Sequence, residues 1–455
     1  MAEERRRSPR PRATFRAMRA SRFPLGALCA ALVSASPAPL RSQVPALGKS
    51  ERQMREWIGA HRDEQIKMLE RMVNMSSGTL NVAGVRAVGA VFRAELDALG
   101  FKTRWADMPR EMHRGGHLVA DRPARQKIAG GKRLLLIGHF DTVFEGEGQK
   151  FVRQDTIARG AGTSDMKGGD VILLYALKAL AATGQLDRMD VTVVITGDEE
   201  ASGRPLELAR RDLIEAAKRS DVAASFEGGN REFASITRRG SSNWILKVTG
   251  RQGHSAGVFG SSYGAIYEVA RILNTFRERL VGDPGLTFNP GLIGGGSELS
   301  VDTSGYAYSV SGKTNIIAPT AEVRGDLRFL TEEQKERARG VMREIVAKNL
   351  PGTSAEIIFE DSYPAMPLTK AGEGILAQYD TVSRALGYPA VKALDATRRG
   401  AGDISFVAPF IPGIDGLGAL GAGAHSPQES VHLPSLQMQT ERAAVFLARL
   451  AGIRK

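Results

Sequence analysis

Cysteine is almost absent from this sequence. Its one cysteine in 455 residues, Cys29, lies within the first 42 residues. The rest of the chain has no thiol, which excludes cysteine-based catalysis, disulfides and cysteine metal ligands, and is compatible with an oxidising compartment. Hydrophobic residues make up 42% and charged residues 25% of the chain. This composition is that of a globular protein and excludes a disordered, collagen-like or multi-span membrane protein.

The positive charge is concentrated in one segment. The formal net charge is +12, but residues 1–42 alone contain nine arginines and two glutamates. The remaining residues carry only a dilute positive surplus, and no basic stripe interleaved with aromatic residues follows. Both features argue against a surface that tracks nucleic-acid phosphates. We therefore expect no nucleic-acid partner.

Residues 1–42 have the pattern of an export signal. An arginine-rich segment precedes a short apolar stretch at 23–35, and small residues between 34 and 38 offer cleavage positions. The apolar stretch is too short to span a bilayer comfortably. We expect an exported protein, periplasmic or secreted, without stable membrane insertion once the signal is removed. Met18 is an alternative start, and a basic tail with a chance apolar patch is the competing interpretation.

Most of the chain alternates between strand and helix patterns. Apolar, strand-like runs lie at 134–138, 191–196 and 222–226, and helical periodicity lies between or before them at 48–76, 81–98, 168–180 and 206–218. This alternation predicts an α/β catalytic domain with a mostly parallel central sheet and helices on both faces. The same pattern resumes after residue 364, with helices at 372–386 and 438–452.

The pattern changes between residues 241 and 363. Strand-like runs lie at 244–248, at 314–329 around Pro319, and at 355–360, with helical patterns at 262–280 and 332–349. We interpret this order as strand–helix–strand–strand–helix–strand, which predicts an inserted α+β domain of ferredoxin-like type. The predicted organisation is therefore a leader (1–42), a catalytic domain in two parts (43–240 and 364–455) and an inserted lid or dimerisation domain (241–363).

Histidine and acidic residues follow the predicted strands of the catalytic domain. The candidates are His139, Asp141, Asp165, the acidic run Asp198-Glu199-Glu200, Glu227 and His425. Loops after parallel strands gather at one edge of an open sheet, so these side chains are expected to share one site. Their mixture of nitrogen and oxygen ligands suits Zn²⁺ or another borderline divalent ion, and five ligands suffice for two metals that share a carboxylate.

Each of these segments also has a structural explanation when taken alone. The His139–Asp141 pair can be a structural hydrogen bond, Asp165 can cap a helix, and the acidic run can be a solvated loop. Three adjacent carboxylates repel one another unless cations or protons compensate. Consecutive strand residues point to opposite faces, so Glu199 and Glu200 must lie in a turn to share a site. The segments together favour a metal centre.

The motifs resemble those of a known enzyme family. His139-x-Asp141, Gly162-x-x-Asp165-Met-Lys-Gly-Gly169, Asp198-Glu199-Glu200 and Phe226-Glu227-Gly are similar to those of the zinc-dependent exopeptidases that include glutamate carboxypeptidase, aminoacylase and succinyl-diaminopimelate desuccinylase. The resemblance covers residues 50–455. It implies a site with two Zn²⁺ ions, for which Co²⁺ or Mn²⁺ could substitute. His139 and Glu227 would bind one ion, Glu200 and His425 the other, and Asp165 would bridge both.

The resemblance also implies roles for residues that are not ligands. Asp141 would orient His139, and Glu199 would be the general base that takes a proton from the metal-bridging water and delivers it to the leaving amine. His254 is similar to a lid histidine that stabilises the oxyanion, commonly from the partner subunit of a homodimer. Asn315 and Arg328 match lid positions that bind the terminal carboxylate of the substrate.

The implied activity is hydrolysis of the amide bond next to a C-terminal amino acid, with a small peptide or an N-acyl amino acid as substrate and a glutamate-like residue as the leading candidate. An N-acyl-amino-acid amidohydrolase or a dipeptidase would share every metal ligand. A non-catalytic metal-binding or interaction protein is the alternative of a different class, and the intact Glu199 argues against it.

Some residues depart from the family pattern or lie outside its motifs. The glycine-rich loop at 398–405 has the sequence Gly-Ala-Gly-Asp, and His432 is an additional histidine expected at the surface or behind the ligands. The departures leave the substrate preference open. His61, His113 and His117 lie outside every motif, and we assign them no role.

Overall fold

The computed structural model describes residues 46–303 and 305–453. The predicted export signal at 1–42 therefore lies outside the described residues. Within the described ranges, no helix combines the length and the apolar character needed to cross a bilayer.

Helices and strands alternate through most of the described chain. The α-helices are α1 (Lys49–Ala60), α2 (Arg62–Val73), α3 (Val82–Ala98), α4 (Lys167–Ala182), α5 (Leu206–Ala209), α6 (Arg211–Lys218), α7 (Gly264–Leu280), α8 (Glu332–Val346), α9 (Lys370–Ala385), α10 (Ile404–Val407) and α11 (Leu433–Leu450). The strands are β1 (Lys102–Ala106), β2 (His117–Arg122), β3 (Leu134–His139), β4 (Val152–Gln154), β5 (Ile157–Arg159), β6 (Val191–Thr196), β7 (Val222–Ser225), β8 (Phe233–Ala234), β9 (Gly240–Gly250), β10 (Thr287–Gly296), β11 (Glu298–Val301), β12 (Tyr308–Ser311), β13 (Thr320–Phe329), β14 (Thr353–Asp361), β15 (Lys392–Ala393), β16 (Gly413–Ile414), β17 (Gly421–Ala422) and β18 (Ser430–His432).

A six-stranded sheet with the order β1-β2-β6-β3-β7-β16 supports the predicted site. Strands β6, β3, β7 and β16 are parallel to one another, and β1 and β2 extend the sheet in antiparallel pairing. Strand β3 lies between β6 and β7, so the loops after these three strands meet at one edge. The prediction of a mostly parallel central sheet is confirmed.

The central strands are apolar because both faces of the sheet are covered. Leu134 and Leu136 of β3 belong to a core that contains residues of α4 and α11. Leu135 and Ile137, which point the other way, belong to a second core with residues of α6 and α10. Alternate strand residues therefore pack under helices on opposite faces, as expected for a buried parallel sheet. This arrangement confirms the prediction of helices on both faces.

A second sheet, with its own core, is formed between residues 240 and 361. Its order is β10-β13-β9-β14, and all neighbouring strands are antiparallel. Helices α7 and α8 contribute to the core of this sheet around the fully buried Trp244, whose ring meets Phe276 edge-on at 6.0 Å. The chain order and the strand order are those of the ferredoxin-like fold that was predicted.

Several predicted boundaries are wrong. The helical pattern at 48–76 forms two helices that break at His61, whose Nδ1 lies 2.7 Å from the carbonyl oxygen of Trp57. The pattern at 206–218 likewise breaks at Arg210. The strand expected from residue 314 begins only at Thr320, since Pro319 has no N–H to donate to a ladder.

Two antiparallel segments connect the sheets. Arg238 and Met366 exchange main-chain hydrogen bonds of 3.0 Å in both directions, and the amide of Ser241 donates to the carbonyl oxygen of Tyr363 at 2.8 Å. One segment carries the buried Arg238 and the other the partly buried Tyr363 toward the loops at the sheet edge.

Candidate active site

His139 occupies the carboxyl end of β3, in the middle of the sheet edge. Its Nδ1 lies 3.0 Å from the main-chain carbonyl oxygen of Asp141, which favours a proton on Nδ1. Its Nε2 has no hydrogen-bond partner and lies 3.4 Å from Oδ1 of Asp165 and 3.5 Å from Oε1 of Glu227. One imidazole nitrogen and two carboxylate oxygens therefore converge on a common point.

A second group of the same kind forms around His425. Its Nε2 lies 3.1 Å from Oδ2 of Asp165 and 3.1 Å from Oε2 of Glu200. Asp165 thus turns a different oxygen toward each histidine, and the two groups share this one carboxylate. A shared carboxylate of this geometry is suited to bridging two cations.

The residues fit a pair of divalent ions. Ligand atoms at about 2.0–2.1 Å from a tetrahedral Zn²⁺ are separated from each other by about 3.3 Å. The observed separations between histidine nitrogens and carboxylate oxygens run from 3.1 to 3.5 Å. In addition, Nε2 of His139 and Oε1 of Glu200 are buried without a hydrogen-bond partner. Such unpartnered buried atoms are uncommon unless an ion or water satisfies them.

The electrostatics of the cluster favour bound positive charge. Hydrogen bonds to Asp165 and Glu200 raise the pKa of His425 to about 11. Burial alone would raise the pKa of Asp165, but the hydrogen bonds from both histidines lower it. Burial raises the pKa of Glu200 to about 7. The cluster therefore holds more carboxylate charge than its own residues balance, as expected where metal ions supply the compensation.

Asp141 fixes both His139 and the acidic turn after β6. Its Oδ1 lies 3.4 Å from Nδ1 of His139 and accepts the N–H of Glu199 at 3.0 Å. Its Oδ2 accepts the N–H of Glu200 at 3.0 Å and the hydroxyl of Thr79 at 2.6 Å. The resemblance implied only the contact between Asp141 and His139. The N–H groups of Glu199 and Glu200 that Asp141 accepts explain how two consecutive glutamates reach one site.

Glu199 lies in this turn and lines the same cavity as the candidate ligands. Burial raises the pKa of its carboxyl group well above the usual range, and the neighbouring charge of Glu227 adds to the rise. The hydroxyl of Tyr363 donates to the main-chain carbonyl oxygen of Glu199 at 2.7 Å and so restrains the turn. A carboxyl group with a raised pKa is suited to accepting a proton and returning it.

A buried ion network lies beneath the acidic turn and was not predicted. The guanidinium of Arg210 donates to Asp198 at 2.6 Å and to Asp403 at 2.8 Å, and Thr196 donates to Asp403 at 2.6 Å. Asp198 is therefore a structural residue of the turn. Nothing in the sequence around Arg210 marks it as buried, since its carboxylate partners are distant in the chain.

Glu429 supports the loop that carries Asp165. This 1%-exposed residue accepts main-chain N–H groups from Gly162 at 3.0 Å, from Ser164 at 2.8 Å and from Asp165 at 3.0 Å. The sequence interpretation gave Glu429 no role. Its position four residues after His425 was the one available signal.

The cavity lined by the candidate ligands has a volume of about 400 Å³. Its wall contains Glu199, candidate ligands, glycine-rich segments and two arginines, Arg238 and Arg399. The lid residues predicted to meet the substrate are not part of this wall within the described chain. His254 and Asn315 lie on paired segments of the lid, and Arg328 pairs with Asp326 at 2.8 Å.

Comparisons with known proteins show which family this chain resembles. The profile of Peptidase family M20/M25/M40 matches residues 135–449. Carboxypeptidase G2 of Pseudomonas sp. (strain RS-16) is 29% identical over 419 residues, which cover 86% of this chain and 91% of that protein. Succinyl-diaminopimelate desuccinylase of Gluconobacter oxydans (strain 621H) is 27% identical, covering 71% and 82% respectively.

A solved structure shows the same fold. Aminopeptidase PepT of Bacillus cereus ATCC 10987 superposes with a TM-score of 0.69 and 17% identity, covering 86% of this chain and 99% of that one. The solved YXEP protein of Bacillus subtilis, described as a dinuclear metal-binding peptidase of the M20 family, superposes with a TM-score of 0.60 and 13% identity, covering 87% of this chain and 100% of that one. In the present chain, two groups of candidate ligands share Asp165. The chain therefore belongs to peptidase family M20/M25/M40 and is a metallopeptidase or amidohydrolase.

Proposed function

We propose that the chain is a dizinc hydrolase that cleaves the amide bond next to a C-terminal amino acid. The observation that carries this proposal is the pair of ligand groups sharing Asp165, with Glu199 lining the same cavity. The similarity to carboxypeptidase G2 over most of both chains supports the carboxypeptidase type of reaction. The mixed nitrogen and oxygen ligands support zinc, and Co²⁺ or Mn²⁺ suits the same ligands.

The residues of the cavity would have separate roles in such a reaction. His139 and Glu227 would hold one ion and Glu200 and His425 the other, with Asp165 between them. When bound, the two ions polarise the scissile carbonyl and acidify the attacking water. Glu199 accepts the proton of that water and returns it to the leaving amine nitrogen, a double task that its raised pKa permits.

An N-acyl-amino-acid amidohydrolase or a dipeptidase is the second candidate function. The 27% identity to a succinyl-diaminopimelate desuccinylase supports this second candidate. The metal ligands do not distinguish the two functions, because the same ligand arrangement serves both reactions. The deciding experiment measures amino-acid release by the zinc-loaded protein from N-blocked and free-amine substrates that end in Glu, Ala, Leu or Lys. Chelator-sensitive cleavage of blocked substrates supports a carboxypeptidase or an N-acyl-amino-acid amidohydrolase, and the preferred last residue defines the specificity. Cleavage of free dipeptides alone would assign a dipeptidase, and no cleavage with zinc bound would reject the proposal.

We also propose that the lid forms the interface of a homodimer. Phe259, Ile266 and Tyr267 are each at least half exposed, and the rings of Phe259 and Tyr267 pack at 5.1 Å. Ile266 adjoins Gly295 of β10, which is an edge strand. Exposed apolar groups beside an unpaired edge are typical of an interface. Light scattering should show a dimer that Ile266→Asp dissociates and that Val281→Asp, a control at the exposed end of α7, leaves intact.

Export of the mature protein to the periplasm or medium is a further part of the proposal. It depends on the sequence of residues 1–42 alone. Expression of the full chain, followed by N-terminal sequencing of the protein in each cell fraction, would show cleavage between residues 34 and 42 if the proposal is correct. An intact N-terminus in the cytoplasmic fraction would contradict it.

A further inference from the structure

An unpaired arginine lies in the wall of the active-site cavity. Arg399 lines the cavity with the candidate metal ligands, and its Nη2 is buried without a hydrogen-bond partner. No carboxylate of the described residues forms an ion pair with it. A Cβ atom added at Gly228 would lie 3.9 Å from Nη1 of Arg399, which places the guanidinium beside the ligand Glu227.

The second arginine of the wall already has its partners. Arg238 is paired with the fully buried Asp415, and its Nη1 donates to the carbonyl oxygen of Gly400 at 3.0 Å. It therefore anchors the loop that follows Arg399. Gly402 allows this approach, because a Cβ there would lie 2.6 Å from Nη1 of Arg238. The anchored loop gives Arg399 a fixed position.

The guanidinium of Arg399 therefore has no hydrogen-bonded or ion-paired carboxylate among the described residues. Burial and the neighbouring charge of Arg238 lower its pKa, whereas the charges of Asp415, Glu227 and Asp165 act in the opposite direction. Burying an unpaired cation is unfavourable, so a group of this kind is retained where an anion completes it. The planar guanidinium offers parallel N–H donors that match the two oxygens of a carboxylate.

We infer that Arg399 is a substrate-binding residue that pairs with a carboxylate of the substrate inside the cavity. This inference rests on the proposed function and narrows it, since substrates with a carboxylate at this position are preferred to neutral analogues of the same shape. The carboxylate can belong to the acyl group, to the side chain of the leaving amino acid or to its α-carboxyl group. All three present the same chemistry to Arg399.

Matched substrate pairs distinguish these sources. The pairs are N-succinyl-L-leucine and N-butanoyl-L-leucine, N-benzoyl-L-glutamate and N-benzoyl-L-glutamine, and N-benzoyl-L-leucine and its carboxamide. For the pair whose carboxylate meets Arg399, wild-type protein should prefer the acid, and Arg399→Gln should raise the KM of the acid by roughly 10- to 100-fold while changing its kcat little. The KM of the acid for Arg399→Lys should lie between the values for wild type and Arg399→Gln. Arg398→Gln, which removes the same charge from an exposed neighbour, should match wild type.

The inference and the proposed function can fail separately. If Arg399→Gln, with zinc content equal to wild type, leaves the preference within all three pairs unchanged, the inference is wrong even though hydrolysis is established. If Arg399→Gln does not fold, an unchanged substrate preference in Arg399→Lys would likewise show that the inference is wrong. If no substrate is cleaved, the proposed function fails, and calorimetric binding of glutarate to zinc-loaded wild type and Arg399→Gln decides the inference. Equal affinity of the two proteins for glutarate would overturn it.

Discussion

Asp165 is the residue on which both halves of the candidate centre depend. It faces His139 with one oxygen and His425 with the other, so a small rotation of its carboxylate would disturb both groups. Three main-chain N–H groups around Asp165 are held by the single carboxylate of Glu429. Glu429, which belongs to neither candidate ligand group, therefore fixes the position of the proposed bridging ligand, as supporting residues around metal ligands commonly do.

Replacement of Glu429 by glutamine should weaken metal binding. An amide retains one acceptor oxygen but turns an NH₂ group toward main-chain donors, so the loop of Asp165 loses part of its support. We expect metal affinity to fall by roughly 10- to 100-fold. Competition with a chelator of known affinity measures this change. Glu373→Gln, an exposed change in α9, is the control, and equal affinities for both variants would contradict the role of Glu429.

At the level of elements, the loops of the site depend on close approach between α4 and β7. Gly169 lies in the first turn of α4, where an added Cβ would lie 1.8 Å from the carbonyl oxygen of Phe226. Gly169 therefore allows the helix to approach the segment after β7 that carries Glu227. The packing therefore explains why the motif after Asp165 contains a glycine at position 169, which the sequence alone shows only as a resemblance.

Gly169→Ala should shift these elements apart and destabilise the fold by about 1–3 kcal/mol, the usual cost of overpacking. Gly340→Ala is the matched control, because Gly340 lies in α8 with no atom within 4 Å of an added Cβ. That change should stabilise the protein by about 0.5–1 kcal/mol through helix propensity. Urea unfolding of both variants tests the pair, and equal effects would contradict the packing argument.

How far an element could be predicted follows from its burial. Strands β3 and β6 are buried at every position and have continuous apolar sequences, so their positions were evident. Strands β1 and β10 are largely exposed and mixed in polarity, which hides them from a periodicity argument. The candidate ligands were visible as motifs, whereas Arg210 and Tyr363 act through partners that only the folded chain brings together.

At the level of the whole molecule, the lid residues stand apart from the cavity of their own chain. His254 lies on a lid segment paired with that of Asn315, and neither residue lines the cavity in the described chain. If the proposed homodimer forms, the partner's lid is the natural source of the oxyanion-stabilising histidine. A complete active site would then require the dimer.

Subunit mixing tests this idea. His254→Ala and Glu199→Gln homodimers should each lose about 10²-fold or more in activity. After dissociation and reassociation together, mixed dimers contain one complete site, and roughly a quarter of wild-type activity should return because half of the dimers are mixed. No recovery, with mixed dimers demonstrated by mass spectrometry, would mean that His254 does not act across the interface.

The central claim is that Glu199 moves the proton in a hydrolysis that the two ligand groups support. The most direct measurement is amino-acid release by Glu199→Gln, with the metal content of the same sample determined alongside. We predict that the variant keeps two ions per chain and loses about 10²- to 10⁴-fold in kcat. The exposed Glu207→Gln control should retain full activity. Unchanged hydrolysis by Glu199→Gln with both ions bound would contradict the account.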